Sequence, residues 1–320
     1  MEKSYKVIVD SMADFEIGYS DPDLYIVNTP VTIGDEDCTG ISPNDFYKRQ
    51  REIFEQKLNI RIKTDAPKAD DLMNAMLDIL RSGKDAIYVA TASSLTSAFT
   101  NGKAAAMVIE DMDEKFENRI VVIDGLSMSA LTSIMVRLAM RDCKTTDEFL
   151  EYIFDRRNDT EHIFIVSDYT AFRYSGRISA AELALLKAAH IKAMMRFDFG
   201  DNSEKERYPY AAQKDFVMKK LYKKAIDMME ETIDDRFCMI IHGDNPEGAS
   251  MLHSMIIERM PDMVALFNEE KTRMGAATGV HLGYTGVGLA YMRKKGIYEA
   301  AEKHRKNQFF YECTYEAELN

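Results

Sequence analysis

The sequence predicts a two-domain α/β protein. The N-terminal domain has a parallel, Rossmann-like βαβ sheet, and the C-terminal α/β domain has a mixed sheet. A length of 320 residues is natural for two domains of ordinary size. Buried-strand patterns alternate with amphipathic helical patterns in the first half, as in βαβ units. In the second half, apolar runs are separated by turn residues and by long helical patterns. We place the domains at residues 1–158 and 159–295.

Each element of the first half has a local signal in the sequence. Short apolar runs predict strands at residues 5–10, 23–34, 86–91 and 119–124. Apolar residues at helical spacing predict helices at residues 42–58, 67–82, from 95 onward, at 129–141 and at 145–159. The first of these begins at Ser42, a good N-cap residue, followed by Pro43, which suits the first turn.

The second half is predicted in the same way. Apolar runs predict strands at residues 162–168, 237–244 and 263–268, with further strands and turns within 191–210. Helical spacing predicts helices at residues 213–233 and 246–260, and a glycine-rich turn leading into a helix over 283–296.

Composition excludes several classes of protein. Hydrophobic residues make up 46% and charged residues 29%, the balance of a soluble globular chain. A net charge of −12 would repel a nucleic-acid backbone. The apolar runs are too short to span a bilayer, and no signal peptide pattern opens the chain, so we expect a cytoplasmic protein with no membrane span.

The cysteines and methionines indicate which kinds of site the chain can form. The four cysteines are widely spaced and contain no C-x-x-C pair, which disfavours a disulfide framework or a zinc site. The 21 methionines have two interpretations: flexible lining of a cavity for an apolar guest, or filling of irregular gaps in the core. Composition alone favours core filling.

Polar side chains gather where the predicted parallel strands end. Asp10, Ser93, Ser94 and Asp124 each lie at or just beyond the carboxyl end of a strand, the edge at which open α/β sheets bind ligands. Hydroxyl groups beside a helix N-terminus can bind an anion. They can equally cap the following helix, because serine and threonine are common N-cap residues.

Two further loops carry candidate residues. Arg177 lies in the basic segment "RYSGRIS", and arginine suits carboxylate or phosphate recognition. His281 and Gly279 lie in the glycine-rich segment "GAATGVHLG", where the histidine could donate to an anion, move a proton or serve only as a structural residue. His242 also follows a predicted strand.

The chain lacks a Rossmann fingerprint, a P-loop and a G-x-S-x-G elbow, and no catalytic triad can be assembled.

Several motifs together resemble the DegV family, whose better-understood members are fatty-acid-binding subunits of bacterial fatty acid kinase. They are, in chain order, "VIVDSMAD", "GISPNDFYKR", "VVID", "SGRISA", "IIHGD" and "TGVHLG". Their joint order is more specific than any one of them. The resemblance covers roughly residues 5–292, and residues 296–320 form a C-terminal extension beyond the usual family length.

The resemblance implies a long-chain fatty acid buried between the two domains, with no cofactor. In the family a threonine, a serine and a glycine-loop histidine hold the carboxylate; these positions match Thr64, Ser93 and His281. Ser94, Gly279 and Arg177 are expected to support this anion site. The methionines would line an apolar tunnel. The family presents the carboxylate to a separate kinase that forms the acyl phosphate, so this chain would be a carrier and not an enzyme.

The chain departs from the family pattern at two informative places. Asp65 replaces a serine beside Thr64, and its charge would repel a ligand carboxylate unless it points away. An Arg-x-Arg-Lys pattern implicated in kinase docking is reduced to Lys214, which puts the usual kinase partner in doubt. The alternative function is a small-molecule hydrolase or transferase that uses His281 or His242 as a base beside the strand-end anion site.

Overall fold

A computed structural model of the chain describes residues 2–190, 192–197, 210–215 and 217–295. The predicted C-terminal extension, residues 296–320, lies outside the described residues. Two sheets, one in each half of the chain, are joined by helices, and a small three-stranded sheet adjoins the first half. None of the helices within the described ranges is long and apolar enough to cross a membrane.

The first half builds a parallel sheet. Its elements are β1 (Tyr5–Asp10), β2 (Leu24–Val27), β3 (Val31–Ile33), β4 (Glu36–Asp37), α1 (Pro43–Glu55), β5 (Ile62–Thr64), α2 (Ala69–Arg81), β6 (Asp85–Ala90), α3 (Ala98–Met112), β7 (Ile120–Asp124), α4 (Ala130–Asp142) and α5 (Thr146–Arg156). The large sheet has the order β2-β1-β6-β7, and all of its pairs are parallel. The small sheet has the order β4-β3-β5. The prediction of a parallel N-terminal sheet is confirmed.

The second half builds a mixed sheet. Its elements are β8 (Thr160–Val166), α6 (Thr170–Tyr174), α7 (Ala180–Ala188), β9 (Lys192–Phe197), β10 (Tyr210–Asp215), α8 (Met218–Thr232), β11 (Ile233–His242), α9 (Pro246–Arg259), β12 (Val264–Leu266), α10 (Ala276–Leu282) and β13 (Val287–Arg293). The strand order is β10-β9-β8-β13-β11-β12. Only the β11–β12 pair is parallel among the described pairs of this sheet, so the predicted mixed sheet is confirmed.

The predicted helix over residues 283–296 is wrong. Residues Val287–Arg293 form β13, which lies between β8 and β11 near the middle of the sheet. All seven of its residues are buried, because both faces of the strand are covered. A strand buried on both faces shows no alternation of polar and apolar residues, which is why its pattern resembled that of a helix.

The predicted helix over residues 213–233 starts too early. Gln213, Lys214 and Asp215 belong to β10 and pair with β9, and the helix α8 begins only at Met218. Val217 precedes it with an extended backbone, φ −119° and ψ 112°, which separates the strand from the helix. The apolar spacing of α8 itself is as predicted, with Leu221 buried on its inner face.

One hydrophobic core runs through both halves of the protein. It includes Val9 and Val89 from the first sheet and Phe164 and Ile241 from the second. The helix α4 belongs to the first half of the sequence but packs on β8, β11 and β13. The Ser133 hydroxyl, for example, lies 3.5 Å from the sulfur of Met239 in β11. The domain boundary at residue 158 stays a prediction.

Candidate functional site

Two of the predicted anion-site residues are in direct contact. Thr64 Oγ1 lies 3.0 Å from His281 Nε2, although the two residues are separated by 217 positions. Thr64 ends β5, where Ile62 is buried, Lys63 is exposed and Thr64 is half-buried, as the two-residue period of a strand requires. His281 lies near the end of α10, which packs against β5. Strand alternation and this packing together turn the hydroxyl towards the imidazole.

The electrostatic environment keeps His281 neutral. Burial and, to a smaller extent, the nearby positive charge of Arg177 together lower its pKa to about 4. Its second ring nitrogen, Nδ1, is buried and has no hydrogen-bond partner among the described residues. A neutral imidazole carries one N–H donor, so His281 can donate one hydrogen bond to an anion at neutral pH.

Close packing on α1 fixes the position of α10. A Cβ atom added at Gly279 would lie 2.6 Å from Tyr47 Oη and 2.8 Å from Phe46 Cε1, so only glycine fits there. Gln50 Nε2 donates to the Gly279 carbonyl at 2.8 Å, and the Gly279 amide donates to Gly275 within the helix. The structure therefore gives Gly279 a packing role. A contribution of Gly279 to anion binding stays a prediction.

Asp14 anchors the start of α10 and was missed as a site residue in the sequence. Its buried carboxylate accepts hydrogen bonds from the Gly275 amide at 2.7 Å and from the Ser129 hydroxyl. Burial raises the pKa of Asp14 to about 7, although both hydrogen bonds oppose the increase. The second acidic residue of "DSMAD" was the available signal, but its partners lie more than 100 residues away.

The strand-end hydroxyls bind carboxylates of the protein itself. The Thr91 hydroxyl donates to Asp10 at 2.7 Å, and the Thr91 amide donates to the same carboxylate at 2.9 Å. The Ser93 hydroxyl and amide both donate to Asp124. Ser97, at the N-cap of α3, makes no capping bond with its side chain. The hydroxyl groups of Thr91 and Ser93 are therefore explained by hydrogen bonds to Asp10 and Asp124. The sequence hypotheses were anion binding and helix capping, and neither contained this interpretation.

Ser93 and Ser94 are exposed at this edge of the sheet. Within the described part of the chain, the hydrogen bonds of the Ser93 side chain go to Asp124 and not to Thr64 or His281. The structure therefore brings Thr64 and His281 together directly, and the participation of Ser93 and Ser94 in the same site stays a prediction.

Asp65 points away from His281. Its side chain is 65% exposed, and its carboxylate lies 4.0 Å from the ammonium of Lys63, also on the solvent side of β5. The charge of Asp65 is therefore screened by water and does not oppose an anion beside Thr64. The side chain of Lys214 lies outside the described residues.

His242 is engaged through both ring nitrogens. Nδ1 accepts from the Asn245 amide at 3.2 Å, so Nε2 carries the hydrogen and donates to the Glu269 carbonyl at 2.9 Å. The residue is buried, and burial lowers its pKa. Its imidazole has a structural role and no free nitrogen to act as a base.

The model of one protein family, described as "Uncharacterised protein, DegV family", matches residues 4–294. The chain belongs to the DegV family. A DegV domain-containing protein of Clostridium perfringens is 24% identical over 294 residues, which cover 87% of this chain and 95% of that relative. The fold, with its parallel first sheet and mixed second sheet, is accordingly the two-domain fold of DegV proteins.

Solved DegV structures have the same fold. A DegV family protein from Eubacterium eligens, loaded with heptadecanoic acid, has a TM-score of 0.74 at 16% identity, covering 91% of this chain and all of that one. The fatty acid kinase B3 protein of Streptococcus pneumoniae, loaded with linoleic acid, has a TM-score of 0.73 at 17% identity, with 91% of this chain and 100% of that chain covered. At these identities the similarity establishes the DegV fold.

Proposed function

We propose that this DegV protein binds a long-chain fatty acid between its two halves and holds the carboxylate at Thr64, Ser93 and His281. The observation that carries the proposal is the contact of Thr64 with a neutral His281 whose Nδ1 has no described partner. Two family relatives of the same fold carry fatty acids, which supports the choice of ligand.

The site residues have the donors that a carboxylate needs. The contact between Thr64 and His281 uses one of their two hydrogens, so the other is free to donate to the carboxylate, and the first becomes available only when this contact opens. The charge of the exposed Arg177 favours an anion nearby. The Ser93 hydroxyl joins them if it turns from Asp124 to the ligand, while the Ser93 amide keeps its bond to Asp124. Hydrogen bonds to a charged acceptor contribute about 1.5–3 kcal/mol each.

The acyl chain requires an apolar environment, and the core between the two sheets is rich in methionine. The methionines of this cluster are Met12, Met128, Met135, Met140, Met195, Met239, Met274 and Met292. Their flexible side chains can adjust to an apolar guest. At about 0.8 kcal/mol per buried CH₂, a sixteen-carbon chain contributes on the order of 10 kcal/mol before entropic costs.

The proposed role is that of a cytoplasmic carrier that presents the carboxylate to a separate kinase for acyl-phosphate formation. The fatty acid kinase protein among its structural relatives supports this role, as does the absence of a nucleotide-binding motif in the sequence. The kinase, and not this chain, would then catalyse the formation of the acyl phosphate. The reduced docking pattern at Lys214 makes the identity of that kinase a separate question.

Denaturing mass spectrometry of the organic extract from the freshly purified protein tests the carrier role. We expect a stoichiometric fatty acid in the wild type. When fatty acid is added to Ser93→Ala and Thr64→Val, we expect at least about tenfold weaker binding than in the wild type, because each variant loses a donor to the carboxylate. Thr64→Ser keeps the hydroxyl and should restore binding. Ser97→Ala is the matched control, since its side chain makes no capping bond. An empty extract and no binding of added fatty acids would refute the proposal.

The same geometry supports one alternative, a hydrolase or transferase. A hydroxyl 3.0 Å from an imidazole is the arrangement of a nucleophile and its general base. Two features disfavour it: no described group orients His281 through Nδ1, and a pKa of about 4 makes a weak base at neutral pH. Hydrolysis of an acyl ester by the wild type that disappears in Thr64→Val would favour the enzyme over the carrier.

A further inference from the structure

A cationic cleft lies next to the proposed carboxylate site. It has a volume of about 570 Å³ and is formed by the chain that follows α1 and by the loop that follows α6. Lys57, Arg61 and Arg173 line it with positive charge, while Leu58, Tyr174 and Leu183 supply an apolar wall. Among the described residues that line it, none carries a carboxylate. Its volume is in the range of small-molecule binding sites.

The arginines of this region differ from the other arginines that the structure describes. Elsewhere in the described ranges, every arginine side chain donates to a carboxylate or a carbonyl; these residues are Arg49, Arg51, Arg81, Arg119, Arg137, Arg141, Arg156, Arg157, Arg196, Arg236, Arg259, Arg273 and Arg293. Arg61 and Arg173, which line the cleft, and Arg177, which follows Gly176 of the cleft, have no such partner among the described residues. Unpaired like charges around one concave surface repel each other, and a bound anion would relieve that repulsion.

The cleft and the carboxylate site share two segments of the chain. Arg61 extends across the cleft to Gly176, where a guanidinium nitrogen lies 3.4 Å from the position of an added Cβ atom. The next residue, Arg177, is the one whose charge lowers the pKa of His281. Arg61 immediately precedes β5, and Thr64 at the end of that strand lies three residues further on, a distance of about 10 Å. The positive charge of the cleft is therefore continuous with the environment of His281.

We propose that this cleft binds a phosphate group. Three cations suit a dianion better than a single carboxylate, and the planar fork of arginine matches the oxygen atoms of phosphate. The apolar wall at Leu58, Tyr174 and Leu183 leaves room for an organic part attached to that group. Phosphate binding goes beyond fatty-acid binding. Only a role of the cleft in acyl-phosphate formation would rest on the proposed function.

Calorimetric titration of the full chain tests the phosphate site, with inorganic phosphate in one series and ATP in another. The cleft variant is Arg61→Gln with Arg173→Gln. Its control is Arg81→Gln with Arg236→Gln, which removes the same charge from two exposed arginines that are paired with Asp78 and Asp262. We expect the cleft variant to bind at least about tenfold more weakly than the wild type, and the control to change less than about twofold.

Each outcome decides the question. Binding of inorganic phosphate points to a free phosphate ion as the ligand, whereas binding of ATP alone points to a nucleotide. Failure of both ligands to bind the wild type overturns the inference, as does equal weakening in the two double variants, which would indicate a general charge effect. Fatty-acid content is measured on the same samples. Phosphate binding without any fatty acid would leave this inference intact while contradicting the carrier function.

Discussion

His281 and His162 are two imidazoles that the fold holds in the neutral form. Burial lowers the pKa of His281 to about 4 and that of His162 to about 3. His281 reaches the proposed site, whereas His162 is fully buried in β8, with its ring 4.0 Å from that of Phe164. Both histidines couple the protonation of the chain to its folding, because an unfolded histidine titrates near pH 6.5.

Acid should destabilise the protein partly through His162. Its folded pKa lies below the unfolded value, so its contribution to stability is complete above about pH 6.5 and is lost as the pH falls towards 3. Between pH 7.5 and pH 5 the free energy of unfolding should fall by about 2 kcal/mol from this residue alone. Urea denaturation at several pH values should show a loss about 2 kcal/mol larger in the wild type than in His162→Leu, which keeps the contribution of His281. Parallel pH dependences in the two proteins would contradict the assignment.

Single residues were predictable from the sequence to different degrees. Ser93 and His281 stood out because of their position after a strand and in a glycine-rich segment, whereas Thr64 was identified only through the family resemblance. The pairing of Ser93 with Asp124 and the anchoring role of Asp14 depend on contacts between distant segments. Local sequence carries no signal for such contacts, since they arise only when the sheet and α10 are assembled.

At the level of elements, the short helix α10 packs against both α1 and β5. Its position depends on the absence of a side chain at Gly279, which faces the buried rings of Phe46 and Tyr47. Because His281 is only two residues further along the same helix, any displacement of α10 also moves the imidazole away from Thr64.

Gly279→Ala should therefore reduce both stability and fatty-acid binding. Overpacking of a filled core costs about 1–3 kcal/mol, and we expect thermal unfolding to detect a loss of that size. Tyr47→Phe added to this variant removes the atom closest to the new methyl group and should restore part of the stability. Tyr47→Phe alone is the control, since its hydroxyl has no described hydrogen-bond partner. Unchanged stability and binding in Gly279→Ala would show that α10 adjusts freely.

The elements also show where sequence patterns succeed and fail. The strands of the first sheet were recognisable because short apolar runs alternate with helices, and the chemistry at Ser42 marked the start of α1. The strand β13 was mistaken for a helix because complete burial removes the alternation that identifies a strand. Element type is thus least certain from sequence at the centre of a sheet.

For the molecule as a whole, the shared hydrophobic core predicts cooperative unfolding. Residues of both sheets belong to one cluster, and Arg51 in α1 forms an ion pair with Asp244, which follows β11. We expect one transition in urea, with coincident midpoints for secondary structure by far-ultraviolet circular dichroism and for tyrosine packing by near-ultraviolet circular dichroism. Two separated transitions would instead indicate that the halves unfold independently.

The location of α4 has a consequence for dividing the chain. A fragment that starts at residue 159 would lack the helix that covers β8, β11 and β13, and it would expose Met239 and Met292 to water. A fragment of residues 1–158 would contain that helix with its apolar face uncovered. The two pieces, although each holds a complete sheet, are complementary parts of one folding unit, and each would need the other present in order to fold.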